Sequence, residues 1–267
     1  MIADLGAYEH IAVFGGVYNN HLSLSALLRD ARDEGCEELF CLGDVGGFGP
    51  SPAKSVALLR SEQIPTMLGN YDDSIGNRLE DCQCGYTDPR DNHFARISYE
   101  YTLANTPDDQ KDWLRDLPTG FRMTMGGQRI LMQHGSPRRI NEFLWESTTP
   151  DAYIARLLDT AETDVLFVTH TGIPWQRWLE DGRGVVNVGA IGRPANDGRT
   201  CVWYALARVE EEGLSVQLRP LVYDYQRLAK EMREEELPEE FVETILTGWW
   251  TTCLEILPIK ERTSGRY

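Results

Sequence analysis

HIAVFGGVYNNHLSLSALLRDARDEGCEELFCLGDVGGFGPSPAKSVALLRSEQIPTMLGNYDD, residues 10–73, decides the fold. HIAVFGG is an apolar run that ends in glycines and reads as a buried strand. Asn20 then caps a helix whose apolar positions Leu24, Leu27, Leu28 and Ala31 share one face, and the helix closes near Gly35. CEELFCLG is a second strand, the Pro52-led segment SPAKSVALLRSEQ a second helix, and IPTMLG a third strand. This β-α-β-α-β alternation predicts parallel strands joined by right-handed crossovers. Loops at the carboxyl ends of such strands gather on one edge, so Asp44 and Asn70 are expected to converge.

Further along, the pattern is helical from about Asp91 to Pro118, with Thr106-Pro107 as N-cap and first helical position and Trp113, Leu114 and Leu117 as the buried stripe. FRMTMGG and QRILMQHG read as a hairpin turning at Gly126-Gly127. The helix DAYIARLLDTAE, the strand TDVLFVTH and three more strands, VVNVGAIG, CVWYALARV and LSVQLRPLVY, complete the body. From about residue 225 an acidic helical tail follows, with EMREEELPEEF as a solvated face and Trp249-Trp250 expected to pack against the body. Residues 1–267 are read as a single domain, without internal repeats.

Apolar content of 42% and charged content of 25% are those of an ordinary globular protein. A net charge of −16 argues against a nucleic-acid backbone as the main partner, because that interaction needs clustered Lys and Arg. No stretch has the apolar length of a membrane span. The first residues, with Asp4 and Glu9, do not read as a secretion signal, so a cytoplasmic location without membrane partners is expected. The six cysteines are dispersed, which favours free thiols; Cys82 and Cys84 are too close for the usual zinc pair and read as a surface loop.

Four segments that follow strands end in residues able to hold a metal: Asp44 in LGDVGGFGP, Asn70 in LGNYD, His134 in MQHGSP and His170 in FVTHTGIP. Each alone has an ordinary explanation as a turn residue or a hydrogen-bonded core histidine. Together, one carboxylate, one amide oxygen and two imidazoles suit one hard-to-borderline divalent ion such as Mn, Fe or Zn. The loop after the first strand, VFGGVYNN, offers no carboxylate or imidazole until His21, and Gly172 stands where the last segment could carry a further ligand.

The series LGDVGGFGP, GNYD, QHGSPR, THTGIP and VNVGAIGRP, in this order, resembles the calcineurin-like metallophosphoesterase superfamily, in particular its small bacterial and archaeal phosphodiesterase branch. The resemblance runs from His10 to about Tyr223–Tyr225; the tail carries no family motif. It implies an α/β fold, a four-layer α/β/β/α sandwich of two mixed sheets, with a two-metal site between the sheet edges. By position, Asp44 matches the carboxylate that bridges the two metals, and Asn70, His134 and His170 match the remaining ligands of the second metal.

The departures are grouped. A gapless match puts Gly16 and Tyr18 at the positions of the first metal's Asp and His, and Gly172 at its last His. The family's catalytic His is Tyr71 here, while its Asp partner persists as Asp72. With a reference pKa of about 10, a tyrosine is a poor general acid or base at neutral pH, yet its hydroxyl can donate to phosphate. Arg138 and Arg139, just after HGSP, are candidate phosphate-binding cations. The resemblance thus implies a phosphoesterase, for diesters or monoesters, with one of two metal sites intact and weak or altered activity. The alternative is an inactive member that binds a phosphorylated small molecule or nucleotide as a sensor or scaffold.

Overall fold

The computed structural model describes residues 1–264. Strands β1 (Ile2–Ala7) and β2 (His10–Phe14) lead into α1 (His21–Asp33), β3 (Glu38–Cys41), α2 (Pro52–Ser61) and α3 (Asn70–Asn77). Next come α4 (Pro89–Asn105), α5 (Asp108–Arg115), β4 (Gly120–Met125), β5 (Gln128–Met132), α6 (Asp151–Ala161) and β6 (Val165–Val168). The chain closes with β7 (Trp175–Trp178), β8 (Gly184–Asn187), β9 (Val202–Glu210), β10 (Gly213–Leu221), α7 (Tyr225–Glu234), α8 (Glu239–Thr247) and α9 (Ile259–Arg262).

The strands form a six-stranded sheet, β1-β4-β5-β6-β8-β7, and a four-stranded sheet, β10-β9-β2-β3. Successive side chains of a strand point to opposite faces, and here both faces are covered. Ile11 and Val13 of β2 meet Ile130, Met132, Val165 and Phe167 between the sheets. Ala12 and Phe14 face outward into a second cluster with Leu24 and Leu27 of α1, Val56 and Leu59 of α2, Leu228 and Met232 of α7 and Phe241 of α8. On the far side, Leu131, Leu166 and Val168 pack on Ile154, Leu157 and Leu158 of α6. Four layers, α/β/β/α, result, as the resemblance implies. Because both faces are buried, the central strands read as unbroken apolar runs.

Strands β2 and β3 run parallel, as do β5, β6 and β8. Their carboxyl ends therefore deliver residues 15–18, 43–45, 133–136, 169–172 and 188–193 to one rim between the two sheets. The hairpin at Gly126-Gly127 forms as expected, with Met125 opposite Gln128. Among the described residues no helix is long and apolar enough to cross a membrane.

Several local expectations are corrected. IPTMLG is not a strand: it makes one bridge, Cys41 to Thr66, because Pro65 has no N–H and the chain then leaves β3 so that Leu68 donates to the Pro118 carbonyl. The helical stretch is two helices, parted where Thr106, extended at φ −98° ahead of Pro107, cannot continue α4. That helix starts at Pro89, capped by the Asp88 side chain, and α5 starts one residue later than expected, with Pro107 as its cap. GNYDD, whose ordinary explanation is a turn, instead caps and begins α3. Strands β1, paired with β4, and β7, paired with β8, were not anticipated. Cys36, Cys41, Cys201 and Cys253 are free thiols, but Cys82 and Cys84 form a disulfide. Gln83, at φ +51°, folds the two side chains of that short loop toward each other.

Candidate metal centre

Two loops cross at the rim. A side-chain carbon on Gly43, which sits at φ +85°, would lie 2.3 Å from the Gly69 nitrogen, and one on Gly69 would lie 2.4 Å from Asp44 Oδ1. Only glycines allow this approach. The crossing is pinned by Asp72 in the first turn of α3, whose buried carboxylate accepts from the backbone N–H groups of Asp44 (2.7 Å), Val45 (2.9 Å) and Gly69 (2.9 Å). Burial, then the nearby Asp44 charge, pushes the Asp72 carboxyl up to about 6.

Asp44 is held at φ +53° with one oxygen, Oδ1, accepting from the Tyr71 N–H at 3.0 Å. Its other oxygen lies 3.3 Å from His134 Nε2, and that nitrogen is 3.2 Å from His170 Nδ1. Among the described residues, Asp44, His134 and His170 form a buried cluster whose ligand atoms all lie within 4.8 Å of one another. His134 Nδ1 is 2.7 Å from the Leu42 carbonyl, to which it donates, which leaves Nε2 turned to the cluster.

Burial opposes charge on all three. For Asp44 the His134 charge and hydrogen bond outweigh it, and the carboxyl ends below its ordinary range; His134 is raised by Asp44 despite its own burial. Burial, reinforced by His134, drives His170 down to about 3, so it is neutral at pH 7. Asn70, the first residue of α3, donates through Nδ2 to the Cys82 carbonyl at 2.9 Å. Its Oδ1 is buried without a hydrogen-bond partner. An orphaned amide oxygen beside one carboxylate and two imidazoles fits a borderline divalent cation.

The predicted ligand positions thus come together: Asp44, Asn70 and His170 line one cavity, and His134, outside its lining, touches both Asp44 and His170. Tyr71 lines it too, with its hydroxyl donating to Ser98 Oγ at 3.2 Å and its pKa raised by burial. Arg138 is elsewhere, paired with Glu142 and Tyr153, and neither it nor Arg139 lines the cavity. His21 pairs with Glu231 at 2.8 Å.

Of the positions without ligands, Gly16 is closed by carbon, whereas Gly172 leaves room for a side-chain carbon in ordinary contact. A side chain on Gly16 would meet the Ala190 methyl at 2.7 Å and the Tyr18 ring at 2.9 Å; one on Gly172 would meet Trp250 at 3.6 Å and Ala190 at 3.7 Å. Tyr18 itself turns its ring into this half at φ +47°. Sequence reasoning missed the cation that stands beside them. Arg193, 8% exposed, stacks 3.8 Å above the Trp250 ring and 4.9 Å from the Phe48 ring, and it donates to the Thr252 carbonyl at 2.8 Å. Trp250, Thr252 and Cys253, from the tail, also line the cavity.

The two-sheet sandwich with metal donors on the loops at its carboxyl rim defines a metallophosphoesterase-type protein. The chain belongs to the calcineurin-like phosphoesterase superfamily, a metal-dependent family whose domain model matches residues 10–212. It is similar to the metallophosphoesterase of Sphaerobacter thermophilus, with 27% identity and a TM-score of 0.70 over 90% of this chain and 99% of that one. A hypothetical protein of Pyrococcus horikoshii OT3 shares the fold at 22% identity, with a TM-score of 0.76 over 92% of this chain and 100% of that one. An uncharacterized protein of Methanocaldococcus jannaschii is 25% identical over 252 residues, 89% of this chain and 98% of its own length.

Proposed function

We propose that the chain is a metal-dependent phosphoesterase that works with one divalent ion, Mn, Fe or Zn, held by Asp44, Asn70, His134 and His170. Its substrate is a small phosphorylated molecule, a phosphomonoester or a phosphodiester. The observation that carries this reading is the convergence of Asp44, His134 and His170 within 4.8 Å. The unpartnered Asn70 oxygen supports it. A divalent ion in that donor set supplies Lewis acidity and makes a nearby water more acidic. The Tyr71 hydroxyl, its pKa raised by burial, stays protonated at neutral pH and so is no base; it can donate to a phosphoryl oxygen by releasing Ser98 Oγ. Asp72 works through the backbone, holding the Asp44 and Asn70 loops in place.

The carbon that closes the Gly16 position favours a second reading, in which the same pocket binds a phosphorylated molecule without hydrolysing it. Metal analysis and turnover separate the two. Purified protein should hold one divalent ion per chain, and Asp44→Ala or His134→Ala should abolish that binding; two ions at full occupancy would overturn the mononuclear reading. Hydrolysis of p-nitrophenyl phosphate, its bis-ester and nucleotides, dependent on added metal and lost in Asp44→Ala, is the expected result. Metal binding without turnover selects the second reading, and turnover that survives in Asp44→Ala contradicts the first.

A further inference from the structure

The half of the site that lacks ligands holds a cation of its own. Arg193 is more than nine-tenths buried and lines the cavity together with Asp44, Asn70, Tyr71 and His170. Among the described residues no carboxylate lies within 4.0 Å of its guanidinium, whereas the other buried charges are matched: Asp44 by His134, Asp72 and Asp91 by backbone N–H groups and Glu261 by Ser147. One terminal nitrogen is used on the Thr252 carbonyl, and Nε has no partner. Aromatic rings of Trp250 and Phe48 fix the plane of the guanidinium. A buried, unpaired, pre-oriented guanidinium is costly unless an anion completes it. Planar guanidinium donors match phosphoryl oxygens better than an ammonium does.

We propose that Arg193 is the phosphoryl-binding residue of this cavity, and that it takes a terminal phosphoryl group, supplying from the protein the second positive charge that the family's other metal would provide. The size of the space points to a terminal group. The cavity measures about 60 Å³, room for roughly four to six waters, so one phosphoryl group fits and the remainder of the ester must lie toward the opening. A diester phosphorus would have to bring a substituent on each side into that space. Rings of Phe48, Tyr86, Phe94, Phe143 and Phe241 line the rest of it. This inference rests on the reading of the pocket as a phosphoryl site, but its test does not depend on turnover.

Inorganic phosphate is the probe, titrated calorimetrically into protein loaded with Mn. Arg193→Gln should weaken phosphate binding by about 10- to 100-fold, the size expected for losing a charged hydrogen-bond donor, while the Mn stoichiometry stays at that of the wild type. Arg193→Lys, which keeps the charge but not the fork, should fall between the two. Asp44→Ala, without metal, should still bind phosphate measurably through Arg193, and the Asp44→Ala, Arg193→Gln double variant should not. Equal phosphate affinity in wild type and Arg193→Gln overturns the proposal, as does loss of Mn in Arg193→Gln, which would make the residue a support for the metal loops. If Arg193→Gln does not fold, the Lys variant decides: wild-type affinity there overturns the claim for the planar donor. A wild type that binds phosphate but no metal leaves Arg193 standing and defeats the mononuclear reading instead.

Discussion

Asp72 shows how one side chain can set a site without touching its chemistry. Its carboxylate gathers three backbone N–H groups from two loops, and the donors it positions, Asp44 and Asn70, owe their places to that bracket. An Asp72→Asn variant retains one acceptor oxygen and turns an NH2 group toward backbone N–H groups. Leaving buried donors unsatisfied costs about 1–3 kcal/mol each, so chemical denaturation should show a stability loss of about that order, and Mn affinity should fall with it. Unchanged stability would mean that the loops are pinned by something else. At this scale the four donors were legible in the sequence because each comes just after an apolar run; for Asp44, His134 and His170 the end of a buried strand carries them to the rim, whereas the run before Asn70 makes only one bridge to β3. Arg193 was not: its segment, VNVGAIGRP, offers no metal donor to draw attention to it, and its neighbours Trp250 and Thr252 come from the tail, Thr252 being 59 positions away. Arg138 and Arg139 looked more promising because they sit beside a motif, yet Arg138 is engaged by Glu142.

At the scale of elements, the central strands and α1, α2 and α6 were readable from periodicity, since both faces of each strand carry apolar residues. The strands that were missed, β1 and β7, lie at edges. Strand β1 is largely exposed and pairs only with β4, so it lacks the run of apolar residues that marks its neighbours. The register of β5 against β6 carries a prediction of its own. Arg129, in β5, donates through Nε and a terminal nitrogen to both oxygens of Asp164, just ahead of β6, and its backbone N–H donates to the same carboxylate. The Arg129 hydrogen bonds outweigh burial and hold the Asp164 carboxyl below its ordinary range. A carboxyl depressed in the folded state adds stability above the unfolded value, about 3.9, and that contribution is lost as pH falls through the folded value. Asp164→Asn should therefore melt below the wild type at pH 7, by a modest margin because the pair is solvent-facing. The gap should close on acidification below about pH 3.9. A gap that stays constant to about pH 2, below the ordinary carboxylate range, would assign the effect to packing rather than to charge.

For the whole molecule, the decisive question is whether the tail beyond the family match is an appendage or part of the body. Its composition reads as a solvated acidic helix, yet Leu228, Ala229 and Met232 of α7 and Phe241, Val242 and Ile245 of α8 belong to the same buried cluster as Ala12 and Phe14 of β2. Downstream, the Asp91 carboxylate accepts from the N–H groups of Cys253 and Glu255, Trp250 Nε1 donates to the Pro194 carbonyl, and Asn196 ties the Trp250 N–H to the Glu261 carbonyl. Ending the chain after Asp224 removes α7 and α8 from one face of the four-stranded sheet, where α1 and α2 remain. Burial of a large apolar side chain is worth roughly 1.5–3 kcal/mol, so loss of even a few such side chains matches a total stability of about 5–15 kcal/mol. The truncated chain should accumulate as insoluble or unfolded protein. Trp250→Ala is the milder cut: it should cost about 3–5 kcal/mol while leaving α7 and α8 in place, and it frees the guanidinium of Arg193 from the ring on which it stacks. Urea unfolding of that variant should thus show one cooperative transition at a lower midpoint. Its phosphate affinity should fall while its Mn stoichiometry holds, since the indole supplies no metal donor. A truncated chain with the full-length midpoint would show instead that the tail stands apart from the core.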